Sequence, residues 1–205
     1  MGEVGTALTE VLGCDGFDEG ITAHCEVLHV AFPYSPDFVA AVNQHTADLV
    51  VVHSTVPVGT CDPQGWVHSP VRGRHPDLVD ALKTFRKPFG GSRSIEAVMR
   101  WPYQGLAFSD ARHTEAGKLW ELAQFGLQVR VTQAIHEWCD TKGLDPALVY
   151  DMFAQDYNTG YEALGESRFV RPILDYVAGP IGGHCVTENM AYIDHQIAAL
   201  VRDGF

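Results

Sequence analysis

The 205-residue sequence has no long apolar run, and no stretch approaches the roughly 20 apolar residues of a membrane-spanning helix. Its N-terminus lacks the basic-then-apolar pattern of a secretory signal. Basic side chains are few, 14 against 26 acidic ones, so that the net charge is −12. Such a surface repels phosphate backbones and anionic headgroups, and neither nucleic acid nor membrane is expected as a partner. A soluble cytoplasmic protein is predicted.

Cysteine spacing excludes two further classes of protein. The five cysteines are odd in number, and no pair has the C-x-x-C spacing of a zinc ribbon or a redox motif. A disulfide framework is therefore not predicted, and a reducing compartment is the simpler setting. Ten histidines are many for this length, but none has local metal-ligand spacing such as H-x-x-x-H. Loop histidines that act as acids or bases, or that bind a metal such as zinc, stay open as alternatives, and no metal ligand is assigned.

The first half of the chain has the pattern of a parallel sheet. Apolar runs at 27–32 and 49–53 flank an amphipathic helix at 37–44, which is typical of strands covered on both faces. Ligands bind such sheets beyond the carboxyl ends of the strands. The polar residues that fall at two of these ends are His53, Ser54, Thr55, His68 and Ser69.

The second half has the pattern of a helical domain. Residues 110–142 are rich in apolar side chains and free of proline, which predicts one long helix ending before Gly143 that buries two faces. A shorter helix to about Phe153 and a closing amphipathic helix over 187–202 are also predicted. We expect an α/β protein with a reduced Rossmann-like parallel sheet in residues 1–108, followed by a helical domain in residues 109–205 with one long central helix.

A candidate nucleophile lies near the end of the chain, in the run GPIGGHCV at 179–186. The thiol of Cys185 adjoins the imidazole of His184 and follows Gly182 and Gly183. Paired glycines let the backbone approach a ligand closely, and a thiolate is a strong nucleophile. By itself, this pattern fits a turn with a buried thiol equally well.

Four motifs together resemble the UDP-glucose/GDP-mannose (nucleotide-sugar) dehydrogenase family. In chain order they are STVPVGT at 54–60, Ser69-Pro70, EAGKL at 115–119 and GGHC at 182–185. The resemblance implies a Rossmann-type unit that binds NAD, a sugar or sugar nucleotide as substrate, and a homodimer formed through the long helix. Gly2 and Gly5 match the second and third glycines of a G-x-G-x-x-G fingerprint. The first glycine and its strand are missing, so the chain resembles a divergent, N-terminally truncated member.

The resemblance implies roles for particular residues. Cys185, aided by His184, would attack the aldehyde formed by a first hydride transfer, and a second oxidation would give a thioester that water hydrolyses. Lys118 would stabilise the developing oxyanion, and Thr55 would help to hold the catalytic water. Gly2, Gly5, Ser54 and Thr55 would bind the cofactor. The resemblance implies substrate binding at Arg168, Arg171, Gly182 and Gly183. Arg72 and Arg74 are further candidates from their position at the presumed ligand edge, because guanidinium groups suit phosphate. Ion pairs with the chain's own acidic residues are the alternative for these arginines.

Departures from the family pattern leave the reaction open. Val71 and His75 stand where the family has glutamates, Leu122 where it has asparagine, and Asn189 where it has aspartate. Valine and asparagine cannot act as proton-accepting bases, so His75 is a candidate substitute. The glycine-rich, acidic stretch 13–20 has no β-branched run that would place an acid against the adenosine ribose, and weak NAD binding is expected.

Three functions therefore remain. The first is a divergent nucleotide-sugar dehydrogenase. The second is an NAD-independent hydrolase of esters or glycosides that uses the same cysteine, histidine and lysine. The third is a non-catalytic sugar-nucleotide binder.

Overall fold

The computed structural model describes residues 2–17, 24–181 and 184–204. The chain forms two compact units, Met1–Trp120 and Glu121–Phe205, which divide within a single long helix. The sequence places the domain boundary earlier, between residues 108 and 109, and that assignment stays a prediction. Among the described residues, no helix has both the length and the apolar character needed to cross a membrane.

A five-stranded sheet forms the centre of the first unit. Its strands lie in chain order, and every neighbouring pair is parallel except β3 and β4, which are antiparallel. The strands are β1 (Cys25–Val30), β2 (Ala47–Val52), β3 (Val67–His68), β4 (Lys87–Gly90) and β5 (Gly105–Phe108). The predicted Rossmann-like α/β class is therefore confirmed, with one antiparallel pair that the sequence pattern did not reveal.

Helices alternate with these strands and continue into the second unit. The α-helices are α1 (Glu3–Leu12), α2 (Phe38–Val42), α3 (Leu78–Thr84), α4 (Ser94–Arg100), α5 (Ala111–Lys142), α6 (Met152–Ala163), α7 (His184–Thr187) and α8 (Gln196–Asp203). A π-helical turn covers Ala147–Asp151, and 3-10 turns cover Asp62–Gln64, Ser167–Phe169 and Glu188–Tyr192. The 32-residue helix α5 confirms the predicted long central helix.

Alternation along the strands separates two apolar layers in the first unit. Leu49 and Val51 of β2 face one core, which the buried side chains of α1, α3 and α4 complete. Val52 and Val30 face the opposite core together with Phe38 of α2. Because successive side chains of a strand point to opposite faces, the continuous apolar run of β2 serves both layers.

The second unit has its own core, in which Ala123 of α5 packs with Val186, Met190 and Val201. The single closing helix predicted over residues 187–202 is wrong. The backbone of His195 is extended, and its Nδ1 accepts a hydrogen bond from the amide of Ile197, so that a new helix begins at Gln196. The helix predicted to end near Phe153 also continues to Ala163.

Candidate functional site

The carboxyl ends of β1, β2 and β3 lie side by side. The amide of His53 donates to the carbonyl of Val30 at 2.8 Å, and the amide of Ser69 donates to that of Val52 at 2.7 Å. These bonds extend the ladder by one residue beyond each strand. The residues predicted at two strand ends from sequence, His53 with Ser54 and His68 with Ser69, are therefore neighbours at one edge of the sheet.

Two histidines and a lysine form a polar cluster at this edge. Nδ1 of His29 lies 2.9 Å from Nε2 of His53, and Nδ1 of His53 lies 2.8 Å from the carbonyl oxygen of Ser69. Nζ of Lys87 donates to the carbonyls of Ser69 and Pro70 at 2.9 and 3.0 Å. His53 and Lys87 are each only 3% exposed, so the cluster is built into the core of the unit. We call these three residues the His29–His53–Lys87 cluster.

A third histidine links the loop after β2 to helix α5. Nε2 of His68 lies 3.1 Å from the carbonyl oxygen of Ser54, and its Nδ1 lies 2.9 Å from Oγ1 of Thr114. Because a carbonyl oxygen only accepts, Nε2 carries the proton, and Nδ1 of the neutral ring accepts from the threonine hydroxyl. His68 is fully buried and holds the Ser54 backbone in place.

Burial and neighbouring cations keep these histidines neutral. Burial, with a smaller effect of Lys87, lowers the pKa of His29 to about 4. Burial is also the main cause that lowers the pKa of His68 to about 3, and Lys87 and Lys118 add to it. The pKa of His53 lies well below its usual value for the same main reason. Burial, followed by repulsion from Lys118, lowers the pKa of Lys87 itself.

Glu115 of α5 holds the loop that follows β2. Its two carboxylate oxygens accept the amide hydrogens of Gly59 and Cys61 at 2.6 and 2.8 Å. The carboxylate is fully buried, and burial together with Glu115 raises the pKa of the Cys61 thiol far above its usual value. Nearby, the carboxylate of Asp62 accepts the amide hydrogen of Ala111 at the start of α5. We call Glu115, Gly59 and Cys61 the Glu115 clamp.

Among the predicted cofactor and catalytic residues, Ser54, Thr55 and Lys118 belong to this part of the first unit. Ser54 Oγ donates to the carbonyl of Phe32 at 2.6 Å, and Thr55 is partly buried beside it in the chain. Lys118 lies one turn after Glu115 on α5 and is close enough to lower the pKa of His68 and Lys87.

Gly2 and Gly5 lie at the start of α1. The carbonyl of Gly2 accepts hydrogen bonds from the amide and the hydroxyl of Thr6 at 2.9 and 3.1 Å. A Cβ added to Gly2 would meet no atom within 4 Å, so this glycine leaves open space at the helix N-terminus. Gly5 lies within the helix.

His75 lies in the segment before α3, and its Nδ1 is 2.6 Å from the carboxylate of Glu3 in the first turn of α1. Arg74, which is largely exposed, pairs with Asp77 at 3.0 Å. The guanidinium of Arg72 lies 5.8 Å from the centre of the Phe85 ring.

Cys185 lies in the second unit, in helix α7, and its side chain is exposed. Its carbonyl accepts a hydrogen bond of 2.6 Å from Nδ2 of Asn189. An aspartate cannot donate this bond, which gives a structural reason for an amide at position 189. Gly182, Gly183 and the side chain of His184 lie outside the described residues.

Helix α5 holds the segment that leads to Cys185. Nε2 of Gln133 donates to the carbonyls of Val177 and Gly179, both at 2.7 Å. The ring of His136 stacks on that of Tyr176, with 4.4 Å between the ring centres. Side chains of α5 thus position the backbone immediately before the glycine loop.

The two predicted substrate arginines of the second unit lie on aromatic rings. Arg171 lies 3.9 Å from the centre of the Tyr157 ring, and its backbone exchanges two hydrogen bonds with the side chain of Asn158. Arg168 lies 4.8 Å from the ring centre of Phe169 and pairs with Glu166 at 2.9 Å.

Three residues of the site have no role in the sequence interpretation: His29, Lys87 and Glu115. Glu115 lies inside the EAGKL motif, and its place in a motif that resembles the family could have marked it as a site residue. His29 is the one polar residue in the apolar run 27–32, which is a weaker signal of the same kind. No sequence signal points to Lys87. It reaches the site because β4 runs antiparallel to β3, which places the start of β4 at the carboxyl ends of β1, β2 and β3.

The described residues contain no group of three or more histidine, cysteine, aspartate or glutamate side chains that could hold a metal ion. The histidines at the carboxyl edge contact one another, backbone carbonyls and Thr114 instead.

No protein-family model matches the chain, and no curated protein is significantly similar to it in sequence. Solved structures do match its fold. NDP-N-acetyl-D-galactosaminuronic acid dehydrogenase from Methanosarcina mazei Go1 has a TM-score of 0.63 and 19% identity, over 88% of this chain and 47% of that one. UDP-D-ManNAc dehydrogenase from Pyrococcus horikoshii has a TM-score of 0.66 and 16% identity, over 86% and 49%.

A third structure, Psf3 in complex with NADP+ and 2-OPP, has a TM-score of 0.53 and 12% identity, over 86% of this chain and 72% of that one. At such identities the likeness concerns the fold. The chain has the fold seen in nucleotide-sugar dehydrogenases and spans about half the length of the two compared above.

A nicotinamide dinucleotide fits the described residues at one end. The clamped loop with Ser54 and Thr55 lies beyond a parallel strand, where such folds bind ligands, and the adjacent Ser69 Oγ is buried without a hydrogen-bond partner. The segment between α1 and β1, where the adenosine ribose would be bound, includes residues 18–23, which lie outside the described ranges.

Proposed function

We propose that this chain is part of an oxidoreductase related to the nucleotide-sugar dehydrogenases and that it acts on a sugar or sugar nucleotide with NAD. The observation that carries the proposal is the Glu115 clamp. It fixes the loop of Ser54 and Thr55 at the carboxyl edge of a sheet whose fold is that of such enzymes. A fixed loop at this edge is what a site needs to orient a flat ring against a substrate.

The residues that would hold the cofactor are Ser54 and Thr55 at its nicotinamide end and the start of α1, with Gly2 and Gly5, at its diphosphate. When bound, the nicotinamide ring supplies the acceptor for a hydride from the substrate carbinol. The chain itself contributes orientation, a buried environment and the positive charge of Lys118, which lowers the pKa of His68 and of Lys87 after the larger effect of burial. A positive field favours an anionic substrate or a developing oxyanion.

Cys185 is proposed as the thiol that captures an aldehyde product. Its exposure in the second unit is consistent with attack on a bound carbonyl, which would give a thiohemiacetal. A second molecule of NAD would have to accept a second hydride to oxidise this adduct to a thioester, which water would hydrolyse to the acid and the free thiol. Asn189 hydrogen-bonds to the Cys185 carbonyl and cannot accept a proton as a carboxylate does. The base that assists hydrolysis must therefore be another group, and a histidine is the natural choice near neutral pH.

The test is a turnover assay of purified protein with NAD or NADP and a panel of UDP- and GDP-sugars, followed by the absorbance of the reduced nicotinamide. Cys185→Ser is expected to stop formation of the acid product. Cys14→Ser, which changes an exposed cysteine of the first unit, is expected to leave turnover unchanged. Protein that neither binds nor reduces either dinucleotide with any of these sugars would sink the proposal.

One observation favours a second function, a hydrolase that needs no dinucleotide. The thiol of Cys185 is exposed, and thioester hydrolysis, which is already part of the proposed cycle, consumes no dinucleotide. Chromogenic esters and glycosides would then be cleaved without NAD, and Cys185→Ala would abolish the cleavage. Thermal stabilisation by UDP-glucose without turnover of any kind would instead indicate a non-catalytic binder.

The proposed homodimer stays a prediction. Light scattering of the purified chain over a range of concentrations measures it directly, and a monomer at all concentrations would contradict it.

A further inference from the structure

The His29–His53–Lys87 cluster fixes the position of every proton between its two histidines. The Ser69 carbonyl oxygen can only accept, so Nδ1 of His53 carries a hydrogen. Nε2 of the neutral His53 ring is then an acceptor, and the 2.9 Å bond requires a hydrogen on Nδ1 of His29. A neutral His29 consequently has an unprotonated Nε2.

Within the described ranges of the chain, no hydrogen bond to this nitrogen atom is found. The contact with His53 through Nδ1 is the hydrogen bond that the described part of the structure assigns to the His29 ring. The side chain is partly exposed, and Nε2 is not among the fully buried unpartnered polar atoms of this part, which are Ser69 Oγ and Trp101 Nε1. Nε2 of His29 is therefore an acceptor that solvent or a ligand can reach.

Its surroundings select the chemistry of a ligand. Lys87 is close enough to lower the pKa of His29, after the larger effect of burial, and this keeps the ring unprotonated at neutral pH. A bare imidazole nitrogen can accept a hydrogen bond and cannot donate one, so the ligand must present a donor, and a hydroxyl group is a neutral donor of this kind. The position, at the carboxyl end of a parallel strand, is where ligands bind in open α/β sheets.

We propose that His29 is a binding residue whose Nε2 accepts a hydrogen bond from a hydroxyl group of a small-molecule ligand at the carboxyl end of β1. His53 is its positioning residue, because it holds the ring in the one tautomer that leaves Nε2 bare. The inference rests on the proposed function only for the choice of probes, since sugars, nucleotide sugars and dinucleotides all carry hydroxyl groups.

The first experiment measures the tautomer in the free protein. Long-range proton–nitrogen correlation spectra of protein labelled with 15N-histidine distinguish a ring with Nδ1–H from one with Nε2–H. His29 and His53 are both expected in the Nδ1–H form at neutral pH, whereas His68 is expected in the Nε2–H form. The His68 resonance thus serves as an internal reference for the other tautomer. A His29 ring with hydrogen on Nε2 overturns the proposal.

The second experiment measures access to Nε2. Diethyl pyrocarbonate acylates unprotonated imidazole nitrogens, and mass spectrometry locates each modified histidine. NAD and UDP-glucose are the probes, and His24, which is exposed and pairs with Asp48 in the same unit, is the internal control. A probe at ten times its dissociation constant is expected to slow modification of His29 about tenfold, because only the free protein reacts, and to leave His24 unchanged.

The outcomes separate this inference from the proposed oxidoreductase activity. Protection of His29 without any dinucleotide reduction supports the hydroxyl site and counts against the proposed activity. Turnover without protection of His29 by either probe supports the activity and overturns the hydroxyl site. If His29 and His24 are slowed alike, the probe acts on the reagent and not on the site, and the proposal is likewise overturned.

Discussion

The carboxylate of Glu115 accepts the amide hydrogen of Gly59 at 2.6 Å, across 56 positions of sequence. The bond joins helix α5 to the loop after β2, and Gly59 has the positive φ of 91° that the turn requires. A buried carboxylate that accepts two amides makes charge-assisted hydrogen bonds, which are about twice as strong as neutral ones. The position of the loop therefore depends on one side chain of a distant helix.

Glu115→Gln is expected to weaken this attachment. A glutamine oxygen can accept from one of the two amides, but its NH2 group then faces the other N–H, and a buried donor is left without an acceptor. We expect the free energy of unfolding to fall by about 1–3 kcal/mol, measured by urea denaturation. Glu137→Gln, an exposed position on the same helix, is the matched control and should change little. Equal stabilities of the two variants would contradict the clamp.

Stability is expected to fall in mild acid because of the buried histidines. Above the ordinary histidine pKa of 6.5, neither the folded nor the unfolded chain is protonated at these positions. Below it, the unfolded chain binds protons that folded His29 and His68 exclude until their pKa values of about 4 and about 3.

Each of these groups then removes up to about 1.4 kcal/mol of stability per pH unit inside its own window. Calorimetry at about pH 7.5 and pH 5 should show a lower Tm in acid, and His68→Gln, which cannot take up a proton, should reduce the difference. A Tm that is constant over this range would show that the histidines are not buried in their neutral form.

Burial is the main cause of the low pKa of His29, and Lys87 is expected to add to it. Its positive charge disfavours a protonated imidazole nearby, so Lys87→Met should raise the pKa of His29 from about 4 towards the ordinary value. NMR titration of the histidine ring resonances measures this shift. Lys83→Met removes an exposed lysine of α3 and should leave the His29 titration unchanged. A His29 pKa that does not respond to Lys87→Met would remove the lysine from the cluster's electrostatics.

Two valine side chains of the second unit pack directly against Gly126 of α5. A Cβ added there would overlap a methyl group of Val201 and lie 2.9 Å from one of Val186. Gly126→Ala is therefore expected to destabilise the protein by about 1–3 kcal/mol through overpacking, despite the better helix propensity of alanine. Gly117→Ala, on the same helix but with open space around it, should stabilise by about 0.5–1 kcal/mol. Thermal denaturation of both variants compares their stabilities directly. A stabilised Gly126→Ala would show that α7 and α8 can move away from α5 to make room for the methyl group.

Much of the fold could be predicted from local pattern. The apolar run that became β2 and the proline-free stretch that became α5 were recognised because strand and helix periods are properties of short segments. The break before α8 was not recognised. It depends on the His195 side chain, which caps a new helix, and the spacing of apolar residues does not reveal such a cap. The antiparallel pairing of β3 and β4 was also missed, since pairing direction is decided between segments and not within one.

Some features of the candidate site could likewise be predicted from the sequence, and others could not. The sequence by itself determined the residue types that carry chemistry at the ends of the strands, such as Ser54, His53 and His68, because those positions follow directly from where apolar runs stop. Only the tertiary structure decided which of them are available. It buried His53 and His68 in hydrogen bonds, left Nε2 of His29 without a hydrogen-bond partner among the described residues, and brought Lys87 and His53 to the same Ser69 carbonyl. Side-chain hydrogen bonds and desolvation depend on residues distant in sequence, and no local pattern encodes them.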